Sequence, residues 1–193
     1  MNIKRTEIDG LLILQPRVHS DDRGYFFESF NWKTFSELTG HTIPFVQDNQ
    51  AKSSRGVLRG LHYQNNPTPQ SKLIRVLEGT IWDVVVDIRQ GSPTFGQWYG
   101  IELSAENKLQ FFIPRGFAHG YSVLSDTAEI IYKCDNYYNK SAEGGIFYND
   151  PELAIDWKID AANAIVSEKD KVQPALRDAV IDFQTLGLEY DHN

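Results

Sequence analysis

The sequence has little cysteine and no excess of positive charge. Its one cysteine, Cys134, cannot form a disulfide within the chain, and a lone cysteine among strands is more often a buried small apolar residue than a nucleophile. The 19 Lys and Arg residues are outnumbered by 26 Asp and Glu residues, so the formal net charge is −7. This balance argues against nucleic acid or an acidic membrane surface as a partner, and an anionic ligand must be held by local Arg or Lys side chains.

Long apolar runs are also lacking. The run Leu11–Leu14 near the start is too short for the apolar core of a signal peptide, and no other segment is long enough to span a bilayer. Together with the single cysteine, this predicts a soluble protein in the reducing cytoplasm. Repeats, low-complexity segments and linkers rich in Ser and Gly are absent as well. Because 193 residues suit one core, we predict that residues 1–193 form a single domain.

Strand patterns dominate what is present. In TIWDVVVDIR, residues 80–89, the even-numbered positions from Trp82 onward are apolar, whereas the odd-numbered positions include Asp83 and Asp87. This period of two predicts a strand with one face more polar than the other. Similar segments, separated by Gly, Pro, Asn or Ser clusters, predict strands at Leu11–Leu14, Gly24–Ser29, Val57–Gln64, Lys72–Leu77, Gly100–Leu103, Leu109–Ile113, His119–Leu124 and Glu129–Cys134.

Helices are expected to be few and short. NWKTFSELTG predicts one, with Asn31 able to cap its start and Gly40 able to take the left-handed position at its end. Short helical turns are expected after Asp150–Pro151 and within Asp160–Val180. Many short strands joined by regular turns favour an all-β sandwich or barrel, and we predict a jelly-roll (cupin) barrel with a few short helices.

The cupin pattern can be tested on two short blocks, which in metal-binding cupins supply three His and one acid. The first block keeps His62, but Gln64 stands where a second His is needed, and no acid occurs from Asn65 through Leu77. The second block, PRGFAHGYSV, keeps His119. Two imidazoles do not make a tight divalent site, so we expect a metal-free barrel. An unligated imidazole titrates near neutral pH and is available for proton transfer.

The block GVLRGLHYQ raises a geometric question, because it carries an arginine and a histidine three positions apart. Strict strand alternation places His62 on one face with Leu58 and Gln64, and Arg59 on the other. The two side chains can share one site only if the strand twists or bulges at Gly60, as glycines within strands often allow.

Several long blocks together resemble one family. DDRGYFFESF, QDNQAKSSRGVLRGLHYQ, PQSKLIRVLEGTIWDVVVDIRQGSPTFGQW, FFIPRGFAHGYSVLS, YKCDNYY and YNDPELAIDW occur in order between about Asp21 and Asp170, and they are similar to the dTDP-4-dehydrorhamnose 3,5-epimerases. The resemblance implies a metal-free jelly roll that needs no cofactor and epimerises a 4-keto-6-deoxy sugar carried on dTDP. It also implies a homodimer in which N-terminal strands contribute to the partner's site, while the C-terminal tail covers the barrel.

The resemblance also implies roles for individual residues. His62 corresponds to the base that removes a proton next to the ketone, and Asp170 to the carboxylate that orients it. Lys72 corresponds to the group that stabilises the enolate, and Tyr132 to the proton donor on the opposite face. Further positions match residues that contact the nucleotide, its diphosphate or the sugar, namely Arg23, Phe26, Glu28, Gln47, Asp48, Asn49, Arg59, His119, Tyr138, Glu143 and Lys169.

Three other functions remain open at the level of sequence. An epimerase that inverts only C3 or only C5 would use the same base and acid. A non-catalytic sugar-binding cupin would need the pocket and its arginines without the set His62, Asp170 and Tyr132. A metal-dependent cupin oxygenase would need a second histidine and an acid as ligands, but Gln64 stands at the histidine position and the acid is missing.

Overall fold

The computed structural model describes residues 1–184, and within them the chain forms thirteen strands and two short α-helices. The strands are β1 (Asn2–Arg5), β2 (Leu12–Gln15), β3 (His19–Asp21), β4 (Gly24–Phe26), β5 (Gln47–Ser54), β6 (Leu58–Gln64), β7 (Lys72–Glu78), β8 (Thr80–Asp87), β9 (Trp98–Ser104), β10 (Gln110–Ile113), β11 (Phe117–Val123), β12 (Thr127–Cys134) and β13 (Glu143–Gly145). The helices are α1 (Trp32–Thr39) and α2 (Glu168–Lys171), with 3₁₀ turns at Lys140–Ala142, Ala161–Asn163 and Leu176–Asp178.

Two large antiparallel sheets form the body of the molecule. One has six strands in the order β1-β2-β10-β7-β12-β5, and the other has five in the order β13-β6-β11-β8-β9. Consecutive strands often lie in different sheets, so the chain crosses repeatedly between them. Strands β3 and β4 pair only with each other and form a separate two-stranded arm. The predicted all-β jelly-roll fold is confirmed.

The main core lies between the two sheets, and side-chain alternation decides what enters it. On β8, Ile81 and Val85 point inward with Asp83, whereas Val84 and Val86 pack outward in a second cluster. The more polar face predicted for this strand is therefore the interior one. The outer cluster is covered by the C-terminal segment through residues such as Trp157, which is 1% exposed. The predicted single domain also includes residues 185–193, which lie outside the described part of the chain.

Helix α1 forms as the sequence predicts. The Asn31 side chain accepts a hydrogen bond from the backbone N–H of Thr34, and Gly40 closes the helix at φ 73°. The buried side chain of Phe35 then packs with Leu12, Leu14 and the outer face of the six-stranded sheet. Short helical segments also occur in the tail, at Ala161–Asn163, Glu168–Lys171 and Leu176–Asp178 as expected, whereas the segment after Asp150 forms turns.

Strand β5 is the main element that pattern reading missed. Its sequence QDNQAKSS has no apolar alternation, but β5 pairs with β12 along all eight residues. Its inner face carries small and amide side chains because it borders a cavity instead of the apolar core. The strand predicted at Gly24–Ser29 stops at Phe26, since β4 has only β3 to pair with. The short edge elements β1, β3 and β13 were also not predicted.

Cys134 ends β12 and is fully buried, as predicted. Burial raises the pKa of its thiol to about 11, so the group stays protonated at neutral pH. Within residues 1–184, no helix is both long enough and apolar enough to cross a bilayer.

Candidate active site

A cavity of about 450 Å³ lies between the two sheets. The five-stranded sheet contributes His62 from β6 and His119 from β11, and the six-stranded sheet contributes Lys72 from β7 and Tyr132 from β12. The tail adds further polar groups around Asp170. Groups able to transfer protons or bind anions therefore face each other across one space.

A bulge at Gly60 brings Arg59 and His62 to the same cavity. On β11, His119 is paired with His62 and Tyr121 with Arg59, so two residues of β6 lie opposite one residue of β11. The Gly60–Leu61 peptide bond is cis, and Gly60 has φ 128°. A Cβ at Gly60 would lie 2.5 Å from the backbone of Gly120, which leaves no room for a side chain.

The bulge corrects the strict alternation expected for this strand. Leu58 lies with Leu61 and Tyr63 in the outer cluster, whereas Arg59 and His62 both line the cavity. The Nε–H of Arg59 donates to Ser53 Oγ at 3.1 Å, and this hydrogen bond orients the guanidinium.

His62 forms a close pair with Asp170. The distance between His62 Nε2 and Asp170 Oδ1 is 2.6 Å, and the backbone N–H of Gly60 donates to Asp170 Oδ2 at 3.3 Å. Burial opposes ionisation of Asp170, but these bonds outweigh it and lower the pKa of the carboxyl. An ionised carboxylate only accepts, so in the neutral imidazole Nε2 carries the hydrogen and Nδ1 carries the lone pair.

Helix α2 supplies the acid of this pair. Ser167 caps the helix, and its Oγ accepts the backbone N–H of Asp170 at 3.1 Å. Asp170 is 3% exposed. Its carboxylate lies 108 positions along the chain from His62, so the tail has to fold back onto β6 for the pair to form.

A second pair, His119 with Asp83, lies deeper in the barrel. His119 Nε2 is 2.9 Å from Asp83 Oδ2, and the other carboxylate oxygen is buried with no hydrogen-bond partner among residues 1–184. Burial lowers the pKa of His119 and raises that of Asp83, each against the attraction of the other. Burial at this site therefore disfavours the charged form of each partner.

Lys72 and Tyr132 occupy the facing wall. Lys72 Nζ lies 5.9 Å from the centroid of the Tyr132 ring. Burial lowers the pKa of Lys72, opposed by Cys134, Asp83 and Glu143. Burial also raises the pKa of Tyr132 to about 12, so its hydroxyl keeps its proton at neutral pH. The wall thus offers an incompletely solvated cation and an O–H donor.

A chain of contacts leads from the cavity to its rim. Lys169, which lines the cavity, pairs with Glu143, and Glu143 Oε2 accepts the hydroxyl of Tyr138 at 3.2 Å. The backbone N–H of Tyr138 donates to Gln47 Oε1 at 2.9 Å, and Gln47 in turn donates to Asn49 at 3.1 Å. Five predicted binding residues are therefore joined in one network.

Four predicted binding residues belong neither to the lining of this cavity nor to the network at its rim. Asp48 lies on the outer face of β5 and pairs with Lys133, because its neighbours Gln47 and Asn49 take the inner positions. Arg23 and Phe26 lie on the β3–β4 arm and Glu28 just after it. Phe26 is 72% exposed.

Several residues at the site were not predicted from sequence. Asp83 was noted only as part of a polar strand face, and a carboxylate among valines was the signal that a buried partner exists. Tyr121 follows His119 by two positions on the same face, and its ring centroid lies 6.4 Å from that of His119. Ser167 is recognisable as a helix cap only once α2 is known.

Neither histidine of the cavity belongs to a metal site among the residues that the structure describes. Within residues 1–184, no group of three or more His, Cys, Asp or Glu side chains is arranged to hold a metal ion. Gln64, at the position of the absent second histidine, uses its amide for contacts with two loops.

Comparisons with known proteins agree on one family. The family model described as dTDP-4-dehydrorhamnose 3,5-epimerase matches residues 5–178. A curated protein of that name from Shigella flexneri is 54% identical over 170 residues, which cover 88% of this chain and 93% of the relative.

Two solved structures share the fold closely. A dTDP-4-dehydrorhamnose 3,5-epimerase from Elizabethkingia anophelis has 57% identity and a TM-score of 0.88, covering 92% of this chain and 97% of its own. A dTDP-6-deoxy-D-glucose-3,5-epimerase from Legionella pneumophila, in complex with dTDP-4-keto-L-rhamnose, has 52% identity and a TM-score of 0.88, covering 94% of each chain.

Proposed function

The chain belongs to the dTDP-4-dehydrorhamnose 3,5-epimerase family, and we propose that it converts dTDP-4-dehydro-6-deoxy-D-glucose to dTDP-4-dehydro-L-rhamnose in dTDP-L-rhamnose biosynthesis. The observation that carries this proposal is the arrangement of the cavity walls. A histidine–carboxylate pair lies in one wall, and a protonated tyrosine with a half-buried lysine lies in the other. Inversion of a carbon centre needs proton removal on one face and proton delivery on the other.

The chemistry requires a base, an acid and a group that stabilises negative charge. A hydrogen next to a ketone is weakly acidic, and its removal becomes practicable when the enolate oxygen meets a cation or donor. Carbons C3 and C5 flank the same C4 ketone, so both carbanions delocalise onto one oxygen. One set of residues can therefore serve both inversions, and the reaction consumes no oxidant or reductant.

We assign the catalytic roles on this basis. His62 Nδ1 takes the proton, and the Asp170 carboxylate stabilises the imidazolium that forms. Lys72 stabilises the enolate oxygen. The hydroxyl of Tyr132, with its pKa raised to about 12, delivers a proton from the opposite wall.

The nucleotide is assigned to the rim. Arg59, beside the bulge, suits bidentate binding of the diphosphate. Tyr138, whose ring is exposed at the rim, is assigned to stack on thymine. The remaining substrate contacts are assigned to Gln47, Asn49, His119, Glu143 and Lys169, which lie in or next to the cavity, and to Asp48 on the outer face of β5.

The β3–β4 arm is assigned to contact with a second subunit. Strands β3 and β4 pair with neither large sheet, and they expose Tyr25 and Phe26, which are 62% and 72% exposed. Aromatic groups displayed in this way suit an intermolecular contact. We assign the arm to the partner subunit of a cytoplasmic homodimer, where Arg23, Phe26 and Glu28 would complete the neighbour's nucleotide site.

The experiment is to follow solvent hydrogen into the sugar. Incubation of the protein with dTDP-4-dehydro-6-deoxy-D-glucose in deuterated water is expected to place deuterium at both C3 and C5, measured by NMR. Label at only one carbon would identify an epimerase acting at that carbon alone. Absence of label, with dTDP still bound, would identify a sugar-binding protein without this activity.

A further inference from the structure

Gln64 ends β6 two residues after His62, and its side chain is almost fully enclosed, with 5% of the residue exposed. A buried amide needs partners for its N–H groups and its oxygen. Those partners lie in two loops next to the cavity rim, which makes Gln64 a link between the barrel wall and the rim.

The contacts use both ends of the amide. Nε2 donates to the backbone oxygen of Thr68 at 2.6 Å and to that of Tyr137 at 3.2 Å. Oε1 accepts the backbone N–H of Asn139 at 2.8 Å. The opposite amide orientation would place Oε1 against two carbonyl oxygens, so the hydrogen bonds determine which way the group points.

These bonds flank Tyr138 on both sides. Gln64 binds the carbonyl before Tyr138 and the N–H after it, while Gln47 Oε1 accepts the N–H of Tyr138 itself at 2.9 Å. Three consecutive residues are thus held by two glutamine side chains from β5 and β6. The Tyr138 ring has much less support, since the residue is 56% exposed, and within residues 1–184 its hydroxyl donates only to Glu143.

We propose that Gln64 is a positioning residue that sets the affinity for the nucleotide by holding the peptide groups on either side of Tyr138. This inference rests on the proposed function, in which Tyr138 stacks on the base. An exposed ring on a loop must lose conformational freedom when it stacks, and a backbone already held in place reduces that cost. The amide that replaces a cupin metal ligand therefore has a specific task at the binding site.

The first test compares two substitutions of similar size. Gln64→Met keeps the length of the side chain and removes all three bonds, and it is expected to raise the Kd for dTDP about tenfold. At saturating substrate, kcat is expected to stay within about twofold, because His62 and Tyr132 are untouched. Kd is measured by calorimetry and kcat from product formation.

A matched control is Gln70→Met. Gln70 Nε2 donates to the backbone oxygen of Asn136 at 2.8 Å, on the same loop but two residues before Tyr138. A general loosening of the loop would weaken dTDP binding equally in both variants. The proposal predicts a clearly larger effect for Gln64→Met.

A double-mutant cycle asks whether Gln64 acts through Tyr138. In a Tyr138→Ala background, Gln64→Met is expected to leave the Kd unchanged, because the ring it positions is gone. Additive losses in Kd would overturn the proposal. Should Gln64→Met fail to fold, Gln64→Glu takes its place, since it keeps an acceptor for Asn139 and loses both donated bonds.

The outcomes separate this inference from the proposed function. Wild-type protein that binds dTDP, with an unchanged Kd in the Gln64 variant, would overturn the positioning role alone. Wild-type protein that does not bind dTDP would overturn both.

Discussion

Two histidine–carboxylate pairs lie side by side in this barrel, and they differ in the exposure of the histidine and in the origin of the carboxylate. His62 and His119 are direct partners across the β6–β11 ladder. The side chain of His62 is 32% exposed and its acid comes from the tail, whereas the side chain of His119 is 8% exposed and its acid comes from the adjacent strand. Similar chemical groups have thus been placed in different surroundings.

The two acids also differ in the direction in which their pKa values are shifted. Hydrogen bonds from His62 and from Gly60 lower the pKa of Asp170, whereas burial raises the pKa of Asp83. An ionised Asp170 can stabilise an imidazolium on an accessible ring, which a base requires. Burial disfavours the charged forms of both His119 and Asp83. This pair is therefore better suited to orienting a neutral donor toward the ligand. Proximity to a carboxylate alone therefore does not make a histidine a base.

The largest expected effect is from removing the accessible histidine. His62→Ala should lower turnover by about 10³-fold, with no deuterium exchange at C3 or C5, while dTDP binding measured by calorimetry is preserved. His119→Ala is the matched comparison and should retain measurable exchange. Normal exchange in His62→Ala would show that the base is elsewhere.

The next effect separates the two acids. Asp170→Asn should lower kcat by about 10²-fold, because a neutral amide no longer stabilises the imidazolium. Asp83→Asn should change kcat less than about tenfold, since burial at that site already disfavours the negative charge. Kinetics with both variants, each checked for folding by circular dichroism, measure this. Equal losses would mean that both pairs have the same task.

The pH dependence of stability should also distinguish the pairs. The folded-state pKa of His119 is lowered, so its contribution is present above the unfolded value near 6.5 and is lost as pH falls below it. Asp170, with a lowered pKa, loses its contribution only in more acidic solution, below about 3.8. The raised pKa of Asp83 acts in the opposite direction, because its proton stabilises the folded state as pH falls. Urea unfolding of an Asp83→Asn variant, which lacks that opposing contribution, should therefore show declining stability from pH 7 to pH 5.

The control for this experiment adds His119→Gln to the Asp83→Asn variant, which removes the titrating group. Its stability should decline less steeply over the same range, by up to about 1.4 kcal/mol per pH unit for one group. Burial lowers the pKa of His41 as well, so some slope should remain in the variant. An unchanged dependence of stability on pH would contradict the inference that burial disfavours the charged form of His119.

The smallest expected effect comes from the support of Asp170. Ser167→Ala removes the oxygen that accepts the N–H of Asp170 and should cost about 1 kcal/mol of local stability. A several-fold fall in kcat is expected, because the acid is held less firmly against His62. The control is Ser141→Ala, which lies outside α2 and the cavity lining and should leave kcat unchanged. Full activity in Ser167→Ala would show that the bond to His62 alone positions Asp170.

Much of the fold could be read from alternation and capping. Strand β8 and helix α1 have patterns that depend on neighbours in sequence, and both were predicted. Strand β5 was not, because its inner face borders a polar cavity and so carries no apolar period. Pattern reading fails where a strand serves a site instead of a core.

The sequence by itself determined the family, the jelly-roll class and the identity of the reactive groups, because long blocks and strand periods are properties of neighbouring residues. Only the tertiary structure decided how those groups meet. The bulge at Gly60 depends on close contact with Gly120 on another strand. One histidine is paired with an acid whose pKa is lowered, and its neighbour with an acid whose pKa is raised. That difference depends on the fold of the tail and on burial, which no local pattern records.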